Sequence, residues 1–200
     1  MSAQNLVLAS ASSARALVLE RAGLTFKRAP AHVDETAIKQ KCRDQGDNVQ
    51  TTAMALAQAK AQAINPQYPG AWIIGADQML VCDGRWFDKP VDMAEARSHL
   101  RALRGKTHEL ISAICVVRDD HVVWQDVSRA QLTMISFSDD FLENYLDRSG
   151  PEVLESVGVY RLEGLGPQLF SKIDGDYFTI LGLPLLPLLA FLREADVVNM

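Results

Sequence analysis

The chemistry of this chain begins in a serine-rich turn, Ala9-Ser10-Ala11-Ser12-Ser13-Ala14-Arg15. A helix opening there would present free N–H groups and a partial positive charge, which suit phosphate, and the serine hydroxyls add donors. Arg15 adds a full charge in a forked geometry. A cation in the first helical turn opposes the helix dipole, a small penalty that an anionic ligand reverses. The other reading is an ordinary capped helix, and spacing alone leaves both open. The glycines and Gly-Lys-Ser/Thr of a Walker loop are absent.

Two acidic positions stand apart from that turn. Gly75-Ala76-Asp77-Gln78 reads as the end of an apolar strand, and Asp34-Glu35 as a loop-like region ahead of a helix. Separated carboxylates can hold a divalent cation together with substrate phosphates; singly, each also suits a turn or the surface. The cations are Lys60 in an alanine-rich helix, Lys89 before Pro90, and Lys106 before Thr107-His108. Among Ala53, Ala57, Ala61 and Ile64, the ammonium of Lys60 either snorkels to water or faces an anion. Glu163-Gly164 follows a strand-like Val157 to Leu162. A carboxylate there suits the N1–H and 2-amino edge of guanine, or is a solvated acid on a bulge.

The elements that must position these residues alternate between strand and helix. Leu6 to Ala9 has a strand's length, and Ala14 to Ala22 carries helix formers stopped by Gly23. A second helix runs from about Asn48 to Ile64, then a strand from Ala71 to Gly75. Met79 to Cys82 and Arg85 to Phe87 flank Asp83-Gly84, a hairpin signal. Asp92 with Glu95 opens a helix that closes at Gly105. Strands follow at Glu109 to Val117, His121 to Asp126 and Arg129 to Ser136, with a turn at Asp119-Asp120. A helix over Asp139 to Arg148 comes next, then a hairpin of Gln168 to Ile173 and Tyr177 to Ile180 around Asp174-Gly175. Pro184 opens the terminal helix. Hairpins among interleaved strands and helices predict an α/β fold on a mixed twisted sheet with flanking helices.

Composition sets the outer bounds. A chain of 200 residues, 48% hydrophobic and 22% charged, fits a single domain over 1–200. A net charge of -5 gives no general grip on nucleic acid. No run approaches the roughly 20 apolar residues of a membrane span, and the first residues lack the marks of a secretory leader. Cys42, Cys82 and Cys115 form no CxxC, and the histidines form no HExxH. A cytoplasmic, reduced protein is expected, with neither nucleic acid nor membrane as partner. Val122-Val123-Trp124 reads as an exposed strand edge that would allow a homodimer.

Taken in order, these segments resemble the Maf family of nucleoside triphosphate pyrophosphatases. The likeness runs from Leu6 to Ser12 with Arg15 through Asp34-Glu35, Lys60, Gly75-Ala76-Asp77, Lys89-Pro90 and Gly105 to His108. It ends with Gly158, Glu163-Gly164, Gly175-Asp176-Tyr177 and Gly182-Leu183-Pro184. The resemblance implies two lobes around a central cleft, akin to the inosine triphosphate pyrophosphatase architecture. It implies a divalent cation, magnesium or manganese, and hydrolysis between the α- and β-phosphates of non-standard nucleotides, a house-cleaning activity. On this resemblance Asp77 is the catalytic acid and, with Glu35, holds the metal; Ser10, Ser12, Arg15, Lys60 and Lys89 bind phosphates. Gln78 and Glu163 contact the substrate.

Departures from the family pattern fall at Ser13-Ala14, where a proline and a large residue are usual, and at Glu155-Ser156-Val157-Gly158, which loses a lysine. Gln78 and Glu163, where the pyrimidine branch carries threonine and glutamine, lean the resemblance towards 7-methyl-GTP. The alternatives it leaves are a dTTP or UTP pyrophosphatase and a weakly catalytic nucleotide-binding regulator of septum formation.

Overall fold

The computed structural model describes residues 5–198. In chain order the elements are β1 (Leu6–Leu8), α1 (Ser13–Arg21), β2 (Lys27–Arg28), α2 (Glu35–Asp44), α3 (Val49–Ile64), β3 (Trp72–Cys82), β4 (Arg85–Phe87), α4 (Met93–Leu103), β5 (Thr107–Arg118), β6 (His121–Met134), α5 (Asp139–Ser149), β7 (Phe170–Asp174), α6 (Tyr177–Ile180) and α7 (Leu185–Glu194). The strands pair in the order β2-β1-β3-β5-β6-β7, with β4 also on β3. β1 runs parallel to β2 and β3, whereas the β3–β4 and β6–β7 pairs are antiparallel. The sheet is therefore mixed, as the interleaved hairpin signals predict. Among the described residues no helix is long and apolar enough to cross a membrane.

Chain contacts divide the protein into two compact units. Among the described residues the first gathers 5–78, 112–128 and 177–198; the second gathers 79–111 and 129–176. In the first, Leu6, Leu8, Ile74 and Ala76 of the parallel strands pack with Leu19 of α1 and Leu185, Leu188 and Leu192 of α7. Pro184 is the N-cap of α7 rather than its first residue. Trp124 stacks on Phe191 of α7 at 5.1 Å between centroids, so only Val122 and Val123 of the expected edge stand exposed.

In the second unit, Leu100 and Leu103 of α4, Leu110 and Ile111 of β5, and Leu132 of β6 are fully buried. His108 of β5 lies against Phe170, and its Nε2 is 2.8 Å from the Tyr160 hydroxyl. Burial pushes the His108 pKa down to about 4. In the unfolded chain a histidine titrates near 6.5, so the unfolded state binds the extra proton first. Stability is therefore full above pH ~6.5 and is lost as pH falls towards 4, by about 3 kcal/mol in all. His108→Gln, which keeps a hydrogen-bonding partner for Tyr160 but cannot titrate, is expected to flatten the fall of melting temperature across that window. An unchanged slope would assign the acid sensitivity elsewhere.

Several local signals resolve differently once tertiary partners act. Ala71 to Gly75 and Met79 to Cys82 are one strand, β3, so Asp77 lies inside a strand and not at its end. β6 likewise fuses the two expected strands at 121–126 and 129–136. Asp34 and Glu35 belong to no loop: Asp34 caps α2 by accepting from the Ala37 N–H, and Glu35 is its first residue. No strand forms over 157–162, which is turn and irregular backbone. Nor does Asp174-Gly175 make a hairpin, because β7 pairs with β6 (Leu132 opposite Ile173) and 177–180 is helix.

Candidate active site

The first unit brings the serine turn and the two acidic positions together. β1 delivers the turn beside β3, held by the Ala9 N–H to Ile74 carbonyl bond of 2.8 Å. Ser12 caps α1 by accepting from the Arg15 N–H. The Ser10 hydroxyl oxygen accepts from the Ser12 N–H at 3.2 Å and from Arg15 Nη1 at 3.1 Å. Arg15 also donates to the Ala76 carbonyl (3.0 Å) and, through Nε, to the Gly182 carbonyl (2.8 Å). Its guanidinium thus ties the turn to the residue next to Asp77. Burial disfavours the charged form and lowers the Arg15 pKa, while the charges of Asp77 and Glu35 act the other way.

Asp77 is buried, 6% exposed, on the face of β3 that meets α3. Lys60 projects from α3 to place Nζ 2.5 Å from Asp77 Oδ1 and 2.8 Å from Glu35 Oε1. Lys60 therefore neither snorkels outward nor waits alone for an anion; it already bridges two carboxylates. Gly75 makes this approach possible. A Cβ there would collide with the Ala57 carbonyl and lie 2.8 Å from the Ala61 nitrogen. The strand can carry Asp77 to Lys60 only because that methyl is missing.

The donor set fits a magnesium-type ion. Asp77 Oδ1 and Glu35 Oε1 are hard carboxylate oxygens, the donor type such an ion takes, and in this structure both lie against the Lys60 ammonium. Among the described residues no group of three or more His, Cys, Asp or Glu gathers as a metal cage. One missed residue is Arg28. Its Nε donates to the Ser10 carbonyl at 3.3 Å and its Nη2 to the Ala11 carbonyl, fixing the backbone of the turn. The only sequence signal was a lone arginine after Lys27, which says nothing about what it reaches.

Gln78 alternates with Asp77 and points to the other face of β3. Its Nε2 donates to Ser112 Oγ (2.9 Å), the Thr179 carbonyl (3.0 Å) and the Ile180 carbonyl (3.1 Å). The two remaining expected residues, Lys89 and Glu163, belong to the second unit. Lys89 is exposed after β4. Glu163 lies in a turn, where its Oε1 accepts from Arg161 Nε at 3.0 Å while Arg161 also pairs with Glu152. Lys106, weighed as a third cation, pairs with Asp83 at 2.9 Å. The first unit thus assembles Ser10, Ser12, Arg15, Glu35, Lys60, Asp77 and Gln78.

Comparison with known proteins supplies relatives along nearly the full length. A nucleoside triphosphate pyrophosphatase of Paramagnetospirillum magneticum is 53% identical over 188 residues, 94% of this chain and 97% of that protein. A 7-methyl-GTP pyrophosphatase of Rhizobium etli is 48% identical over 194 residues, 97% of this chain and 98% of the relative. Among solved structures, that of a HAM1 protein from Coxiella burnetii aligns with a TM-score of 0.42 and 18% identity, covering 67% of this chain and 74% of the other. The Maf-like protein model matches residues 5–195, from the strand that leads into the serine turn to the last helix, and the chain belongs to that family.

Proposed function

We propose that this protein is a nucleoside triphosphate pyrophosphatase, hydrolysing the α–β phosphate bond to release a nucleoside monophosphate and pyrophosphate. The observation that carries the reading is the Asp77–Lys60–Glu35 cluster beside a serine turn pinned by Arg15. The names of relatives about half identical over most of their length support it. A buried carboxylate can orient a water and take its proton as the oxygen attacks the α-phosphorus. The bond to the bridging oxygen then breaks, and pyrophosphate leaves with the electron pair. Ser10, Ser12, Arg15 and Lys60 are preorganised donors for the phosphate oxygens, where negative charge shifts in the transition state. A divalent cation held by Asp77 and Glu35 would supply charge neutralisation on those oxygens when bound.

Lys89 and Glu163 enter on their chemistry: an exposed cation for a phosphate, and a carboxylate for the donor edge of guanine. Glu163 favours a guanine nucleotide over uracil or thymine, and we infer 7-methyl-GTP as the preferred member of that class. The test is product-resolved. With magnesium and 7-methyl-GTP, GTP, UTP and dTTP side by side, pyrophosphate is expected from the guanine members first. Orthophosphate as the initial product, or no release from any of them, would refute the reading. Glu163→Gln is expected to cut the preference for 7-methyl-GTP over UTP by about 10-fold or more, the scale of a lost charged hydrogen bond. An unchanged ratio would remove Glu163 from base recognition.

A further inference from the structure

The segment that leads to Glu163 is held in a conformation its own residues disfavour. Val159 has a φ of +61°, a left-handed backbone that a β-branched side chain rarely adopts. Such backbone persists only where its surroundings over-determine it, and it gathers at binding and catalytic sites. The surroundings here are buried bonds. The Val159 carbonyl accepts from the Tyr145 hydroxyl at 2.9 Å, and its N–H donates to the Ser156 carbonyl at 3.1 Å. The Tyr160 ring lies on Gly158, where a Cβ would come within 2.2 Å of it, and the Tyr160 hydroxyl meets His108.

Beyond Tyr160 the chain closes on itself. The Arg161 carbonyl accepts from the Gly164 and Gly166 N–H groups, each at 3.1 Å. A Cβ at Gly166 would lie 2.4 Å from that carbonyl oxygen, so the loop shuts only around a glycine. Glu163 rides on this loop, and the Arg161 side chain spans it. Nε donates to Glu163 Oε1 at 3.0 Å, while Nη1 donates to Glu152 Oε2 at 2.8 Å. Between Arg148 and Lys172 the sequence carries one cation, Arg161, against Glu152, Glu155 and Glu163. The hydrogen bond to Glu163 raises the Arg161 pKa, and the charges of Glu152 and Glu155 act in the same sense. All of these residues lie within the second unit.

We propose that Arg161 is a positioning residue for base choice, fixing the Glu163 carboxylate for the donor edge of a guanine and touching no substrate itself. The proposal rests on the pyrophosphatase reading with Glu163 as the base contact. A carboxylate offers about four acceptor sites, so the bond to Nε leaves room for an N1–H and a 2-amino group. Without the guanidinium, Glu163 would share its surroundings with two like charges and turn to water.

Arg161→Met keeps the stem of the side chain and removes its charge. It is expected to lower kcat/KM roughly fivefold for 7-methyl-GTP and GTP, the upper scale of a partly exposed ion pair. The loss should fall on KM, and UTP should change much less. In a Glu163→Gln background the same substitution is expected to leave the ratio between bases nearly as it was, since the carboxylate it positions is gone. The second measurement is hydrogen exchange of the Arg161 Nε–H in the protein without nucleotide. That hydrogen is expected to be protected, and to exchange at least about 10-fold faster in Glu163→Ala.

An unchanged ratio of 7-methyl-GTP to UTP in Arg161→Met, or an equal loss for every triphosphate, would overturn the proposal. A ratio that rises would do so too, because the guanidinium would then be obstructing the carboxylate. Full additivity with Glu163→Gln, or an Nε–H that exchanges equally fast with and without the Glu163 side chain, would overturn it as well. If the unsubstituted protein releases pyrophosphate from no triphosphate, the proposed function fails. The exchange measurement would still decide whether Arg161 holds Glu163.

Discussion

Asp77→Asn is expected to lower the rate of pyrophosphate release by about a thousandfold, within the range that a positioned general base contributes. The substitution keeps the shape of the side chain and an oxygen to accept from Lys60, which also retains Glu35 2.8 Å away. The fold should therefore hold, and melting temperature and circular dichroism should stay close to those of the parent. KM should move little, because Ser10, Ser12 and Arg15, the phosphate donors proposed above, are unchanged. A fall in kcat with KM preserved marks an interaction made in the transition state. A variant within tenfold of the parent rate would transfer the water-activating role to another group, Glu35 first.

Gly75→Ala is expected to be as damaging by a different route. The added methyl would overlap the Ala57 carbonyl and crowd Ala61, so the clash is with helix backbone and no rotamer can relieve it. Overpacking of this kind costs about 1–3 kcal/mol, or roughly 2–12 °C of melting temperature for a chain of this size. Relief must come from α3 moving away from β3, which draws Lys60 from Asp77. A shift of about 1 Å at a reacting group can cost about 100-fold in rate, so kcat should fall even well below the melting point. Gly164→Ala is the control for stability, since its methyl would meet only the Arg161 carbonyl at 3.7 Å. If Gly75→Ala melts like Gly164→Ala, the close approach of α3 is not what sets the Lys60–Asp77 contact.

These two positions also show what a single sequence displays and what it hides. Local chemistry was legible where it acts locally. Asp83-Gly84 and Asp119-Asp120 turn the chain because each pair adopts positive φ, and Asn48 and Asp92 cap the helices they precede. The pairing of Lys60 with Asp77 follows from their types, since few buried positions tolerate either charge without a partner. Gly75 misled: a glycine within an apolar run reads as a break, whereas here it admits a helix. α2 was missed because its apolar stripe is thin, with Cys42 its only buried residue. Asp174-Gly175 has turn composition, but no turn says which strand β7 pairs with. The bonds of Gln78 to Ser112 and Thr179, like the grip of Arg28 on the serine turn, join segments that carry no trace of each other in their spacing.

The first unit is threaded from three separate stretches of chain, and the Arg15–Gly182 bond spans 167 positions. On a ribosome, the serine turn and Asp77 emerge long before the segment that binds the arginine. At a synthesis rate of roughly 5–20 residues per second, several seconds separate them. Until Gly182 arrives, β1 and α1 expose the apolar faces that α7 later covers, and loop closure over such distances slows folding. Closure of the Arg15–Gly182 bond is thus a late event, possible only after Gly182 has emerged. A nascent chain would carry the acid, the lysine and the serines for seconds before that bond can form.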